Sequence, residues 1–172
     1  MFEVRAYVES LSEVHAYMEQ LGASKLGEYA FKDSIYHPKT APYDLNKEFM
    51  RVRVYKQTNW DQKDVELTHK RRMTLGNMGL LTMKEQFDHE EETKEFLMDH
   101  VLAFTYTRKG TEYKLNHLRV FVEEIEGLPP SVEVLAESEN DIDQFFQGLP
   151  SAQRLSDSVP KLIERAKSPF LV

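Results

Sequence analysis

The stretch Phe49-Met50-Arg51-Val52-Arg53-Val54 decides the predicted fold, because its charged and apolar side chains alternate. Successive side chains of a β-strand point to opposite faces, so the arginines would share one face and the valines the other. The stretch Val65-Glu66-Leu67-Thr68-His69-Lys70 alternates in the same way, beyond a polar link at residues 58–64. Together the two stretches predict a β-hairpin that has one charged and one apolar face.

Alternating and helical patterns extend outward from this hairpin and predict an α+β fold. The other predicted strands cover residues 2–9, 29–36, 80–87, 104–108, 112–115, 118–125 and 131–136. The predicted helices cover residues 11–21, 90–100, 141–146 and 159–167. Ser10 is the expected N-cap of the first helix and Gly22 the expected residue after its end, while Lys109-Gly110 predicts a hairpin turn.

Two packings are compatible with the alternation of the strands. In the first, the apolar faces pack outward against the helices, and the antiparallel sheet closes into a β-barrel with a charged lumen. In the second, the sheet stays half-solvated and its charged faces point to water, which is the common arrangement of antiparallel sheets. The alternation alone is compatible with either packing.

The composition bounds the class of protein. The chain has 172 residues and no cysteine, which fits a single domain over residues 1–172 and excludes disulfides, thiolate metal sites and thiol nucleophiles. A net charge of −7, from 22 basic and 29 acidic residues, argues against binding to nucleic acid or a membrane surface. The N-terminus is polar from Glu3 onward and no long apolar run follows, so a cytoplasmic location is expected.

The charges are segregated along the chain. Residues 51–84 contain eight basic and three acidic residues, whereas residues 85–99 contain seven acidic residues and Lys94. An acidic protein whose central strands are basic is expected to hold an anion at a confined site rather than on a broad surface. The six histidines form no His-x-His or His-x-x-His pair, so a structural role is predicted for each.

Short segments spread over almost the whole chain share the order and spacing of one known family. They are Met18-Glu19-Gln20-Leu21-Gly22-Ala23, Lys32-Asp33-Ser34-Ile35-Tyr36-His37-Pro38, Phe49-Met50-Arg51-Val52-Arg53, Val65-Glu66-Leu67-Thr68-His69-Lys70, Lys84-Glu85, Val122-Glu123-Glu124-Ile125-Glu126-Gly127-Leu128, Val132-Glu133-Val134 and Ser158-Val159-Pro160-Lys161-Leu162. In this arrangement the chain resembles the CYTH family, the triphosphate tunnel enzymes that include class IV adenylate cyclases and thiamine triphosphatases. The resemblance implies a tunnel-like antiparallel barrel with helices outside.

The N-terminal hallmark of that family, Glu-x-Glu-x-Lys, is matched only in part. One register places Glu3, Arg5 and Tyr7 on the pattern, and the other places Met1, Glu3 and Arg5 on it. The second register is preferred, because it replaces the lysine by another cation and keeps the family's distance to Gly22. In either register one metal-binding carboxylate of the family is missing.

Two further family positions are also altered. The C-terminal Glu-x-Glu is half present, since Glu133 stands in the first place and Leu135 in the second. Where the family favours Lys-x-Arg, this chain has Arg108-Lys109-Gly110. These differences weaken the match at the expected metal site more than at the expected phosphate site.

The resemblance implies a triphosphate or polyphosphate ligand held by cations of the lumen. A buried triphosphate requires several cations nearby, and guanidinium groups also match phosphate oxygens with two parallel hydrogen bonds. The substrate-binding candidates are therefore Arg51, Arg53, Lys70 and Arg108, with Arg5 as the catalytic candidate. In the alternative interpretation, Arg51 and Arg53 pair with carboxylates of the sheet, and part of the run that begins at Lys70 is solvated.

A divalent ion, Mg²⁺ or Mn²⁺, is the implied cofactor, and it prefers oxygen ligands. Its candidate ligands are Glu3 and Glu133, followed by Glu85 and Glu123. The predicted function is metal-dependent triphosphate hydrolysis or adenylate cyclisation by a monomer or homodimer. The alternative is a non-catalytic tunnel that binds polyanions after losing its metal site, and a third possibility is a structural sheet protein without a ligand.

Overall fold

The structure, a computed structural model, describes residues 1–45, 47–58, 60–72 and 80–167. The chain forms two compact units. Unit 1 contains Met1–Ala30, Gln57–Asn59 and Arg108–Asp157, and unit 2 contains Phe31–Lys56, Trp60–Thr107 and Ser158–Val172. The single domain over residues 1–172 stays a prediction.

Nine strands and four helices occur in the described ranges. The strands are β1 (Phe2–Tyr7), β2 (Ser24–Pro38), β3 (Glu48–Gln57), β4 (Val65–Arg72), β5 (Leu80–Phe87), β6 (His100–Leu115), β7 (Leu118–Ile125), β8 (Ser131–Ala136) and β9 (Gln153–Leu155). The helices are α1 (Leu11–Gln20), a 3₁₀ helix (Glu90–Leu97), α2 (Glu139–Gln147) and α3 (Val159–Lys167). None of these helices has the length and hydropathy that a membrane span requires.

The strands form one antiparallel sheet in the order β5-β4-β3-β2-β6-β7-β8-β1-β9. The predicted α+β class is therefore confirmed. Within the described residues β5 and β9 are the edge strands of this sheet and do not pair with each other. The predicted closure into a barrel is therefore not confirmed. The N-terminal strand β1 lies between β8 and β9, the strands that come last in the chain.

Helix α1 begins and ends where the sequence predicts. The Ser10 side chain accepts a hydrogen bond from the backbone N–H of Glu13, which satisfies one of the free donors of the first turn. Gly22 follows the end of the helix with φ of +73°, a conformation that glycine adopts without steric cost. Val14 and Met18 are fully buried, and they pack into the core of unit 1.

The β3–β4 hairpin of unit 2 confirms the alternation of the sequence. Val52 pairs with Leu67, and both belong to an apolar cluster with less than 2% of each residue exposed. On the other face Arg51 pairs with Thr68, and these two residues are 9% and 0% exposed. The charged face of this hairpin is therefore buried as well, and the half-solvated alternative is wrong for these strands.

The predicted hairpin turn at Lys109-Gly110 is wrong. Residues 100–115 form the single strand β6, in which Gly110 pairs with Glu123 of β7. A Cβ atom at Gly110 would lie 2.5 Å from Tyr29 Oη and 2.7 Å from the carbonyl oxygen of Val122. The glycine therefore allows the Tyr29 side chain and the Val122 backbone to approach β6 closely, and it does not form a turn.

Other differences are smaller and concern the limits of elements. The predicted helix at residues 90–100 is a 3₁₀ helix that ends at Leu97, and β2 begins at Ser24 rather than at Tyr29. The short strand β9 was not predicted, because its three residues are too few for a period to be recognised. Its position next to β1 is set by tertiary pairing.

The Gly110→Ala variant is expected to lower the free energy of unfolding by about 1–3 kcal/mol, because its Cβ would overlap Tyr29 and the Val122 carbonyl. The control is Lys109→Ala, the neighbouring position, where the side chain is 68% exposed and the expected change is within about 0.5 kcal/mol. Urea denaturation of both variants measures the difference. Equal stabilities would contradict the close-approach role of Gly110.

Candidate functional site

Unit 1 contains a buried guanidinium that two carboxylates share. Arg5 of β1 is 6% exposed, and it pairs in register with Glu133 of β8. Its Nη1 lies 2.8 Å from Oε1 of Glu123 and donates to Ser131 Oγ at 3.1 Å, while its Nη2 contacts Oε2 of Glu133. Three strands thus bring their polar side chains to one point.

A second guanidinium reaches the same point from β6. Arg108 lies diagonally across from Glu123, because Glu123 pairs with Gly110, two residues further along β6. Arg108 Nε donates to Glu123 Oε2 at 3.1 Å, and its Nη2 lies 2.9 Å from Oε1 and 2.8 Å from Oε2. We refer to Arg5, Arg108, Glu123, Glu133 and Ser131 as the Arg5 cluster.

The two carboxylates of the Arg5 cluster differ electrostatically. Burial by itself raises the pKa of Glu123, but the positive charges of Arg108 and Arg5 outweigh it and lower that pKa to about 2. The pKa of Glu133 is raised by burial and by the charges of Glu123 and Glu3, against the opposing effect of Arg5. Glu123 is therefore the more firmly ionised carboxylate of the two.

Unit 2 holds two further buried arginines on one face of β3. Arg53 makes two hydrogen bonds to Asp33, from Nε to Oδ1 at 2.7 Å and from Nη2 to Oδ2 at 2.9 Å, and its Cζ lies 3.7 Å from the ring centroid of Phe31. Arg51 Nη2 lies 3.3 Å from Glu66 Oε1. Both arginines thus pair with carboxylates, as the alternative interpretation expected, and their role in binding a ligand stays a prediction.

The other predicted site residues are less closely associated with these groups. Lys70 is half-buried and lies opposite Phe49, on the face of β4 that carries Thr68. Glu85 is exposed and pairs with Leu67, which places it on the apolar face of the hairpin, away from the arginines. Glu3 is exposed, two residues before Arg5 on the same face of β1.

The structure therefore brings together four of the predicted residues, Arg5, Arg108, Glu123 and Glu133. It also places Arg51, Arg53 and Lys70 on one face of their hairpin. Among the described residues, no three histidine, aspartate or glutamate side chains are grouped so that they could hold a metal ion. Glu3 and Glu123 both lie close enough to Glu133 for their negative charges to raise its pKa.

Several residues of these groups were not predicted as site residues, among them Glu66 and Thr68, which contact Arg51. Ser131 and Asp33 are buried acceptors for arginines, and Asp33 stands in the quoted segment at residues 32–38, so strand alternation offered a signal for it. Tyr29 is 2% exposed, and burial and the charge of Glu123 raise the pKa of its hydroxyl. No local pattern indicates that this hydroxyl lies beside Glu123.

Unit 2 also gathers three histidines that are distant in sequence. His69 Nε2 lies 2.7 Å from Glu48 Oε1, at the end of the β3–β4 hairpin. His100 lies nearby, and both of its ring nitrogens are buried without a hydrogen-bond partner among the described residues. Burial lowers the pKa of His100, and the charges of Glu48 and Asp99 offset this in part, while His69 and His37 add to it.

Acidification is expected to destabilise the fold through His100. Because its pKa is lower in the folded than in the unfolded chain, the unfolded chain binds more protons, and stability falls as the pH drops below about 6.5. The His100→Gln variant should show a flatter dependence of the free energy of unfolding on pH between pH 7 and pH 5. The exposed His117→Gln control should keep the parent slope, and identical slopes in all three proteins would contradict the assignment to His100.

No protein-family model matches this chain, and no curated protein matches it. Solved structures do. The PH1819 protein from Pyrococcus horikoshii OT3 has a TM-score of 0.76 at 14% identity, over 95% of this chain and 97% of that one. A candidate adenylate cyclase from Vibrio parahaemolyticus has a TM-score of 0.70 at 9% identity, over 95% and 97%.

A candidate adenylyl cyclase from Hippeastrum, whose dominant activity is that of a triphosphatase, has a TM-score of 0.68 at 14% identity, over 99% of this chain and 96% of that one. At these identities the likeness concerns the fold and not the site. It agrees with the order of motifs by which the sequence resembles the CYTH family. The chain thus has a CYTH-like fold, shared along almost its whole length with adenylate cyclase-like proteins.

Proposed function

We propose that this chain binds a triphosphate or a related polyphosphate through its buried arginines. One observation carries the proposal: Arg5, Arg51 and Arg108 are each less than 10% exposed, and the Arg53 side chain is 11% exposed. Carboxylates match the charge of all four arginines and hold their guanidiniums in place. Phosphate oxygens accept the same paired hydrogen bonds as carboxylate oxygens, so these guanidiniums are suited to a highly charged anionic ligand.

The structural neighbours support the same ligand class. The Hippeastrum protein acts mainly as a triphosphatase, and the Vibrio protein is a candidate adenylate cyclase, so a fold of this type accommodates a triphosphate in related proteins. The closed barrel with a charged lumen, which the family resemblance implies, belongs to this proposal. The phosphate-binding candidates of unit 1 are the two guanidiniums of the Arg5 cluster. Those of unit 2 are the two guanidiniums of β3 and Lys70.

The carboxylates that now face the arginines suggest how a phosphate would bind. Carboxylate and phosphate oxygens both accept the paired hydrogen bonds of a guanidinium, so a phosphate can take the place of a carboxylate. The Arg51 contacts to Glu66 and Thr68 are long, at 3.3 and 3.4 Å, and are therefore the easier ones to exchange. The two short bonds between Arg53 and Asp33 would instead hold Arg53 in place.

We propose that Mg²⁺ or Mn²⁺ binds only together with the polyphosphate ligand. The described residues do not form a group that could hold such an ion by themselves, so we derive no step through a resident metal. Magnesium commonly binds through one or two carboxylates and the phosphates of a substrate. Glu3 and Glu133 are the two carboxylates that we propose for this role.

The second candidate function is a non-catalytic polyphosphate-binding protein. Two observations favour it. The described residues contain no group of three carboxylates that could hold a metal ion, and Met1 and Leu135 stand at places where the family has glutamates. Under this candidate the arginines bind the anion, and no P–O bond is cleaved. Under the first candidate the same anion is hydrolysed, or an adenosine triphosphate is cyclised.

The Arg51→Lys/Arg53→Lys double variant is expected to raise the Kd of tripolyphosphate about tenfold or more, because lysine keeps the charge and loses the paired hydrogen bonds. The matched control is Lys161→Arg/Lys167→Arg in α3, which exchanges the two cations in the opposite direction. Isothermal titration calorimetry in EDTA gives both values. Equal Kd values in the two double variants would mean that binding is diffuse electrostatic attraction and would refute this site.

Turnover decides between the two candidates. If the protein is an enzyme, it should release phosphate or pyrophosphate from ATP or tripolyphosphate with Mg²⁺ or Mn²⁺, and both EDTA and Glu133→Gln should reduce the rate at least tenfold. Activity that survives both changes would refute the metal-dependent mechanism. Clear binding without turnover on any triphosphate would establish the non-catalytic candidate.

A further inference from the structure

We propose that Glu123 is a positioning residue that orients Arg5 and Arg108 toward the ligand, and that it is not a metal ligand. The inference rests on the proposed function and deepens it, since it divides the carboxylates of the Arg5 cluster into two roles. Glu123 holds the cations in place. Glu133 faces the ligand and its ion.

The first reason is that the oxygens of Glu123 are already fully used. Oε1 lies 2.8 Å from Arg5 Nη1 and 2.9 Å from Arg108 Nη2. Oε2 accepts from Arg108 Nε at 3.1 Å and from Arg108 Nη2 at 2.8 Å. A carboxylate offers about four lone-pair positions, and four contacts are present, so a metal ion could bind only by displacing a guanidinium.

The second reason is that the surrounding strands hold Glu123 in place. It is 1% exposed, and it lies between Gly110 on β6 and Ser131 on β8. Ser131 Oγ accepts a hydrogen bond from Arg5, and the absence of a side chain at Gly110 leaves room for the hydroxyl of Tyr29. Because both neighbouring strands hold the Glu123 carboxylate in place, the carboxylate determines the orientation of the Arg5 and Arg108 guanidiniums.

The third reason is the contrast with Glu133. Its side chain is 16% exposed, and its Oε2 contacts Arg5, whereas Glu123 contacts Arg5 and Arg108. Glu133 also lies near the exposed Glu3, so it has a second carboxylate as a neighbour. Of the two glutamates, Glu133 is the one that can exchange its arginine for a metal ion without releasing Arg108.

A positioning role and a purely electrostatic role of Glu123 predict opposite changes in the Kd of a polyanion for Glu123→Gln. If Glu123 acts only through its charge, removing a negative charge from an anion-binding site strengthens polyanion binding. If Glu123 positions the arginines, its loss releases two guanidiniums that must then be ordered by the ligand, and binding weakens. The sign of the change in Kd therefore separates the two roles.

The experiment measures tripolyphosphate binding in EDTA for the parent, Glu123→Gln, Glu123→Asp and the matched control Glu133→Gln. We expect Glu123→Gln to raise the Kd about tenfold or more, which corresponds to about 1.4 kcal/mol. Glu123→Asp keeps the charge and shortens the side chain, so it should also weaken binding. Glu133→Gln should raise the Kd less than Glu123→Gln does, because it removes one contact of Arg5 and none of Arg108. Equal or tighter binding by Glu123→Gln overturns the inference.

A ligand-free measurement keeps the inference testable if the parent binds no polyphosphate, a result that would refute the proposed function alone. In ¹⁵N–¹H spectra of the arginine side chains, the guanidiniums of Arg5 and Arg108 should give separate signals with slow rotation. Glu123→Gln should abolish the slow rotation of both guanidiniums, whereas Glu133→Gln should abolish that of Arg5 alone. Unchanged signals in a folded Glu123→Gln protein, or a loss of both in Glu133→Gln, would overturn the positioning role.

The metal part of the inference has its own readout. Mn²⁺ binding is measured by water-proton relaxation at a saturating concentration of tripolyphosphate. The Mn²⁺ binding should persist in Glu123→Gln and should be lost in Glu133→Gln. Loss of Mn²⁺ binding in Glu123→Gln with retention in Glu133→Gln would make Glu123 the metal ligand.

Discussion

A guanidinium that is buried in a sheet must be matched by a carboxylate, and this requirement organises both units. An unpaired charge in the interior costs several kcal/mol, so the strands carry acids and arginines at registers that let them meet. In unit 1 Glu123 and Glu133 match Arg5 and Arg108, and in unit 2 Asp33 and Glu66 match Arg53 and Arg51. Replacing a single member leaves its partner charged and buried.

This requirement changes the meaning of the alternation along β3 and β4. A strand with one apolar and one charged face usually borders water, yet here both faces are buried. The apolar face packs as a core around Val52 and Leu67, and the charged face is kept from water by its own ion pairs and by Phe31, which lies beneath the Arg53 guanidinium. The charged face is thus built for a polar partner of similar geometry, which is the role we propose for phosphate.

Alternation sufficed to predict the hairpin, the class of the fold and most strand limits, because side-chain period and burial are local properties. It failed at Gly110, where a turn-forming residue serves a contact with Tyr29 that only the folded sheet reveals. The resemblance to a known family named Arg5, Arg108, Glu123 and Glu133 as separate candidates. Their convergence depends on the registers of β1, β6, β7 and β8, and no local pattern encodes a register between distant strands.

The place of β1 between β8 and β9 has a consequence for the order in which the molecule forms. Arg5 is synthesised before its partner Glu133, which follows 128 residues later. Until then β1 has neither of its neighbours, and its arginine remains hydrated while the intervening chain folds around other contacts. Completion of unit 1 therefore waits for β8 and β9, and pairings at such long range make folding slow.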